Sequence, residues 1–360
     1  MRAILVLVAM ALAATSDLTL CVQPSGTARS DLIARAAKVA ETAYERVASR
    51  FMTFLNVQLP YVWSYRLLQI ELQKDGKPAK KVQALKAHLE RMSNLNRVAG
   101  QLAAAGRLGS PSLLSAEYYL TQAECRAAPD DLQRRQAAGA KIVELCQRRY
   151  KLAWQDVTSR VESNALIIAP ALSGASQISQ EWANAAIEFA PLKRDRLEAA
   201  KSYLQRAKEI EEVARRFFAN GSIAEVCEAA FFCADAELQV NLNHGGPHAE
   251  KRERQLRKAR RDAAEGVYSA IWDDIRNYHG SYERLYRWST LLRCASLSLA
   301  ANDVERLDAV AAHRARMINL KKFFDGAIHG ASIDMEQASE FYCLEAEIMF
   351  AQAKAKVPPQ

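Results

Sequence analysis

The chain has 360 residues, with 49 Lys and Arg against 41 Asp and Glu, a formal charge of +8, and a hydrophobic half. That share excludes a disordered chain, and a mean hydropathy of −0.20 excludes a polytopic membrane protein. Alanine supplies 64 residues against 14 glycines and 10 prolines, so helix formers dominate and the composition argues against an all-β architecture.

Met1 and Arg2 precede an apolar run from Ala3 to Ala14, with Ala11 and Ala13 in small-x-small spacing. This is the pattern of a secretory signal peptide over residues 1–21, with cleavage expected near 13–21. The run is 12 residues long, whereas crossing a bilayer takes about 20. Cys21 stands where a lipid-acceptor cysteine would, but Leu20 before it is bulkier than the small residue usual there. The chain is therefore expected to be exported to the periplasm or cell envelope.

Beyond the signal, the chain repeats. A gapless shift of 225 residues superposes Tyr61, Trp63, Ser64, Leu67, Leu72, Ala84, Ala87, His88, Arg91, Met92, Asn94 and Leu95 on identical residues from Tyr286 to Leu320. Twelve identities in 35 positions exceed the roughly 2 that ordinary residue usage gives by chance. A weaker middle copy follows from Leu89, Arg91, Ala99 and Gly106, which match Leu204, Arg206, Ala214 and Gly221. The aromatic pair Tyr118-Tyr119 matches Phe231-Phe232 and Phe341-Tyr342. These matches predict three units, at 29–125, 131–243 and 250–357.

Within a unit the period is helical. Leu197, Ala200, Leu204, Ala207, Ile210, Val213 and Phe217 keep 3-4 spacing along one face. The stripe stops at Asn220-Gly221, a left-handed C-cap, and Ser222 with Glu225 offers a capping box for the next helix. Gly106 with Ser110 and Pro111, and Gly330 with Ser332 and Asp334, repeat the device. An earlier helix of each unit carries Trp63, Trp182 or Trp288, which read as core. Linkers are expected at Lys74 to Pro78, Pro129 to Asp131, Pro170 to Ser176 and Asn243 to Pro247. The absence of proline between Pro247 and Pro358 permits long unbroken helices in the third unit. The expected fold is all-α: three related helical-hairpin repeats forming long antiparallel helices, as a coiled-coil-like bundle or a solenoid.

No Walker loop, His-Glu-x-x-His, Gly-x-Ser-x-Gly or CxxC pattern occurs, so no catalytic, cofactor-binding or metal-ligating residue is assigned and the protein is expected to be non-enzymatic. His244 and His248 flank Gly245, Gly246 and Pro247, a linker rather than a scaffold for metal ligands. His88 and His313 share a helix-packing position, where the middle copy has Tyr203. Cys227 and Cys233, six apart on one helix, are too distant to bridge, while Cys125 and Cys146 flank the loop at Pro129 and are the pair to test. Lys251, Arg252, Arg254, Arg257, Lys258, Arg260 and Arg261 form a basic patch on a helix whose apolar stripe is Leu256, Ala259, Ala263 and Val267. A solvated face, or attraction to anionic lipid headgroups, suits that patch better than nucleic acid in an exported protein.

The stretch Arg215, Phe217, Phe218, Gly221, Ile223, Glu225, Val226 and Ala229, and the stretch Gly106, Leu108, Leu113, Leu114 and Ala116, resemble the helix-Gly-helix signature of the TolC-like outer-membrane efflux family. The resemblance implies hairpin tips that meet an adaptor protein. Ser112 replaces the family's acid in the first copy, the later copies are shorter after glycine, and no alternating strand segments of the family's β-barrel are found. The expectation is an exported structural or interaction module with protein partners in the cell envelope, contacted through tips at Gly106, Ser110, Gly221, Ser222, Glu225, Gly330, Ser332 and Asp334. An efflux component docking an adaptor, and a small-ligand sensor or enzyme using Trp-lined helix faces, are the alternatives.

Overall fold

The computed structural model describes residues 26–74, 78–163, 168–218, 223–245, 248–277, 281–326 and 333–357. Residues 1–21, where a signal peptide is expected, with Cys21, and the turn residues Gly221, Ser222, Gly330 and Ser332 lie outside them. Among the described residues the protein is all-α, with twelve helices and no strand. In chain order these are α1 (Gly26–Phe54), α2 (Gln58–Gln73), α3 (Pro78–Ala104), α4 (Ser110–Ala127), α5 (Leu132–Glu162), α6 (Ala169–Phe189), α7 (Lys193–Phe218), α8 (Ile223–His244), α9 (Ala249–Arg276), α10 (Tyr282–Leu297), α11 (Asp303–Asp325) and α12 (Ile333–Lys354). No described helix is long and apolar enough to cross a membrane.

Each predicted unit thus holds four helices, more than a single hairpin and a leading helix. The additional breaks have local causes. Asn56 Oδ1 accepts the backbone N–H of Gln58 at 2.9 Å and so starts α2 just after Leu55, whose φ is +55°. Ser281 Oγ caps α10 by accepting from the Arg284 N–H. Asn302 Oδ1 accepts the Glu305 N–H at 2.9 Å while Glu305 Oε2 accepts the Ala301 N–H at 2.8 Å, a reciprocal cap that starts α11. The caps at Ser281 and Asn302 interrupt the third segment although it has no proline between Pro247 and Pro358. Conversely, the linker expected from Pro170 to Ser176 is helix: Pro170 occupies the first turn of α6, where its missing N–H costs nothing. At the end of α3, Arg107 N bonds Leu102 O at 2.8 Å and Gly106 N bonds Ala103 O at 2.9 Å. That is a Schellman turn, and Gly106 takes the φ of +68° it requires.

The described residues divide into two compact units. The central unit runs from Cys146 to Glu305; the terminal unit joins the chain up to Leu145 with Arg306 onward. In the central unit consecutive helices from α6 to α10 pack side by side, most extensively α8 against α9. Gly266 of α9 permits that approach, because a Cβ there would sit 2.8 Å from Cys227 Sγ. In the terminal unit α1 to α4 pack consecutively, and α12, from the far end of the sequence, packs on α1. Arg46 and Arg50 of α1 pair with Asp334 of α12, and Arg35 with Glu340.

Both units use the same aromatic seat. Trp63 of α2 meets Phe341 of α12 edge-on at 5.4 Å, and Trp288 of α10 meets Phe231 of α8 edge-on at 5.1 Å. Trp63 and Trp288 are buried, as expected of core. Trp182 is half-buried and stands at the Leu67 register rather than the Trp63 register, since Ser179 aligns with Ser64 at a shift of 115.

Candidate functional site

Polar side chains inside the helical faces form the chemistry of this molecule. In α2 and α3, Arg91 Nε donates to Ser64 Oγ at 2.7 Å, and Ser64 Oγ lies 2.8 Å from His88 Nδ1. In α6 and α7, Arg206 Nε donates to Ser179 Oγ at 2.9 Å. Serine and arginine are 27 residues apart in both pairs, and Ser289 and Arg316 keep that spacing in the third segment. Twenty-four residues after each serine stands His88, Tyr203 or His313, all fully buried. Burial first, then the Arg126 and Arg91 charges, push the His88 pKa down to about 3. Burial therefore holds the ring neutral at pH 7.

The face of α7 is rotated from the stripe read in the sequence. Ala200, Tyr203, Arg206, Ala207, Ile210 and Ala214 are buried, while Leu204 and Val213 are only partly so. Arg206 fits because its guanidinium carbon lies 3.9 Å above the Trp182 ring. Tyr203 points its hydroxyl at Asp235 Oδ2, 3.3 Å away, and Gln180 donates to the same oxygen at 2.9 Å. Asp235 also pairs with Arg260, both side chains being almost completely buried. Burial, and then Asp235, raise the Tyr203 pKa well above the ordinary phenol value.

A second cluster lies where α6, α8 and α10 begin. Arg284 of α10 bonds Glu225 Oε1 at 3.1 Å and Glu228 Oε2 at 2.7 Å, and Ser173 of α6 donates to Glu228 Oε1 at 2.6 Å. Arg287 donates to Gln177 at 2.9 Å, and Arg149 pairs with Glu181 at 2.7 Å. Three carboxylates face three guanidiniums, so the cluster is neutral as a whole and is an interlock between helices.

Set against these contacts, the sequence-predicted tip residues divide. Gly106 forms the tight turn expected of it, and Ser110 opens α4 exposed, with Gly109 rather than Ser110 in the N-cap position. Glu225, expected at a presented tip, is buried against Arg284 because α10 supplies it a cation. Asp334 is taken up by Arg46 and Arg50. Of the basic patch, Arg260 lies inside with Asp235, Arg252 pairs with Glu237, Arg257 with Glu253, and Arg261 with Asp262. Arg260 takes the place in the buried stripe expected of Ala259, which is exposed. Lys251, Arg254 and Lys258 remain exposed and join no ion pair among the described residues.

Neither a protein-family model nor a curated protein matches this sequence. The site must be read from its own geometry. No group of three or more metal-ligating side chains occurs among the described residues.

What sequence reasoning missed is the Ser-Arg ladder and the ionic interlock. The constant spacings of 24 and 27 residues were the available signal for the ladder. It also missed where the surface is apolar. Among the described residues, the large exposed hydrophobic side chains are Met52 and Phe54 at the end of α1, Val82 near the start of α3, Leu132 starting α5, Leu192 just before α7, Ile223 starting α8 and Val304 starting α11. All stand at helix ends, and Phe54, Leu132 and Ile223 are each about two-thirds exposed, at 66%, 68% and 69%. In the terminal unit the Gly106 turn reaches one of them, since Arg107 Nη2 donates to Met52 O at 3.3 Å.

Proposed function

We propose that this protein is an exported, non-enzymatic helical-repeat scaffold of the cell envelope that holds protein partners at its helix ends. The carrying observation is that, among the described residues, the large exposed apolar side chains stand at or near helix ends, while many polar side chains buried on helix faces pair with neighbouring helices. Apolar groups left in water favour burial against a partner. Met52 and Phe54 stand at one such end, where Arg107 of the Gly106 turn donates to Met52 O. The three segments read as copies of one four-helix unit, which makes comparable ends available more than once.

Photocrosslinking in the producing cells tests this. A photoreactive residue at Phe54 or Ile223 is expected to yield adducts with other envelope proteins, and the same residue at the exposed mid-helix positions Glu90 and Glu265 is not. Adducts at the mid-helix positions alone, or at none of the four, overturn the reading.

A second reading is favoured by the left-handed Gly106 turn: a TolC-like tip that meets an efflux adaptor. It requires crosslinks concentrated at Gly106 and Ser110 and recovery of the protein only with detergent. Contact with anionic lipid would rest on Lys251, Arg254 and Lys258 alone and would appear as salt-sensitive binding to phosphatidylglycerol vesicles.

A further inference from the structure

One junction between segments occurs twice, once in each unit, and is closed in two different ways. In the register that sets Trp63 on Trp288 and Phe341 on Phe231, α12 stands to α1 and α2 as α8 stands to α9 and α10. In the central unit that register holds buried apolar residues: Ala224 of α8, with Ile271 and Ile275 of α9. Their counterparts in the terminal unit are Asp334 of α12, with Arg46 and Arg50 of α1, which pair at 3.4 and 3.1 Å and remain partly in solvent. Arg260, buried with Asp235, corresponds to Arg35, which is exposed and reaches Glu340 at 3.7 Å. Solvent-exposed ion pairs hold weakly, so the terminal seam is the looser of the two.

Chain connectivity names the element that is free to leave. The chain enters the central unit inside the unbroken helix α5, between Leu145 and Cys146, and leaves it between Glu305 and Arg306, just after the loop from Ser298 to Asn302. Beyond that loop α11 and α12 hold to each other: Arg314 bonds Glu347 at 2.7 Å, and Cys343 Sγ lies 3.2 Å from Met317 O. On the terminal unit α12 places Phe341 against Trp63, sets Phe341 and Tyr342 5.7 and 5.0 Å from the Arg66 guanidinium carbon, and sends Gln352 to Gln73 at 3.4 Å. A second copy of the chain offers the same seat. Exchange of an identical element costs little, because each contact given up within one chain is remade in the other.

We infer that this protein associates with a second copy of itself by exchanging α11 and α12 about the Ser298 to Asn302 loop, each α12 filling the Trp63 seat of the other chain. The recognition is specific to that copy: Asp334 and Glu340 meet Arg46, Arg50 and Arg35, and Phe341 meets Trp63, as they do within one chain. The α8 junction does not take part, since the chain continues from α8 into α9 through residues 245–248 and its seam is apolar and buried. The inference stands independently of whether the helix ends bind other proteins.

Light scattering on the full chain, refolded from urea at rising concentration, should show a dimer whose share grows with concentration. Its connectivity is read on Arg35→Lys, which keeps the charge and lets a carbodiimide join the new amine to Glu340. Nitrogen-14 and nitrogen-15 chains refolded together should give joined peptides of mixed isotope in the dimer fraction and of single isotope in the monomer fraction. Charge reversal is the second arm. Asp334→Arg, and separately Arg46→Asp with Arg50→Asp, set like charges against each other in a closed monomer or a like dimer, whereas a dimer of one variant with the other restores opposite charges at both seams. That mixed dimer should exceed either like dimer by about tenfold. If the charge-reversed chains fail to fold, the isotope arm decides alone. A chain that stays monomeric at every concentration, a dimer whose joined peptides all carry a single isotope, or variants that pair in the random ratio would overturn the inference.

Discussion

Replacing Arg284 with leucine is expected to destabilise the central unit by about 3–5 kcal/mol, because it leaves two buried carboxylates without their cation. The Glu225 and Glu228 side chains are 6% and 3% exposed, and Arg284 bonds both. Urea unfolding at pH 7 measures the loss, and hydrogen exchange should place it in α6, α8 and α10. The terminal unit shows what the alternative looks like. With Trp63 set on Trp288 and Phe341 on Phe231, Arg284 and Arg287 correspond to Leu59 and Val62, and Glu225 and Glu228 to Met335 and Ala338. The same register is ionic in one unit and apolar in the other. Moving all four apolar residues into the central unit should restore stability to within about 1 kcal/mol of the original or exceed it, since a buried ion cluster replaced as a whole is often neutral or stabilising. If Arg284→Leu alone costs less than about 1 kcal/mol, the range of exposed surface pairs, the interlock is not what holds these helices.

Acid is expected to weaken the terminal unit through His88. Its folded pKa is pushed from 6.5 down to about 3, so between those values the unfolded chain binds a proton that the folded chain refuses. The stabilisation is complete above pH 6.5, falls as the pH drops, and is gone by about pH 3, a total on the order of 4 kcal/mol from a shift of this size. Urea midpoints followed between pH 7 and pH 3 in halide-free buffer should therefore slope downward, with the loss localised to α2 and α3. His88→Gln removes the titrating group and should flatten that slope by the same amount, whatever its own stability. An identical slope in the two proteins would place the acid sensitivity elsewhere.

The helices were legible because their causes are local. Alanine abundance, 3-4 spacing, Gly106 at a C-cap and Pro111 in a first turn each act within a few residues, and a single sequence displays them. The 225-residue shift also aligned Ser64, His88 and Arg91 with Ser289, His313 and Arg316. Two readings failed for a common reason. Pro170 reads as a linker although a first turn accepts it, and the proline-free third segment reads as unbroken although Asn302 and Glu305 start a helix within it. In both, one residue's meaning depends on its position relative to a helix end.

The sequence by itself determined that this chain folds as amphipathic helices, roughly where they turn, and that its segments resemble one another, because period and capping are properties of short stretches. Only the tertiary structure decided which polar residues face inward. Arg260 and Glu225 carry the same signal as any surface charge until Asp235 and Arg284 are brought against them from other helices. Asp334 meets Arg46 and Arg50 across more than 280 residues, a separation that no local pattern records. Burying a charge is costly unless its partner arrives with the same fold, so its place is fixed by the packing of whole helices and not by the residues beside it.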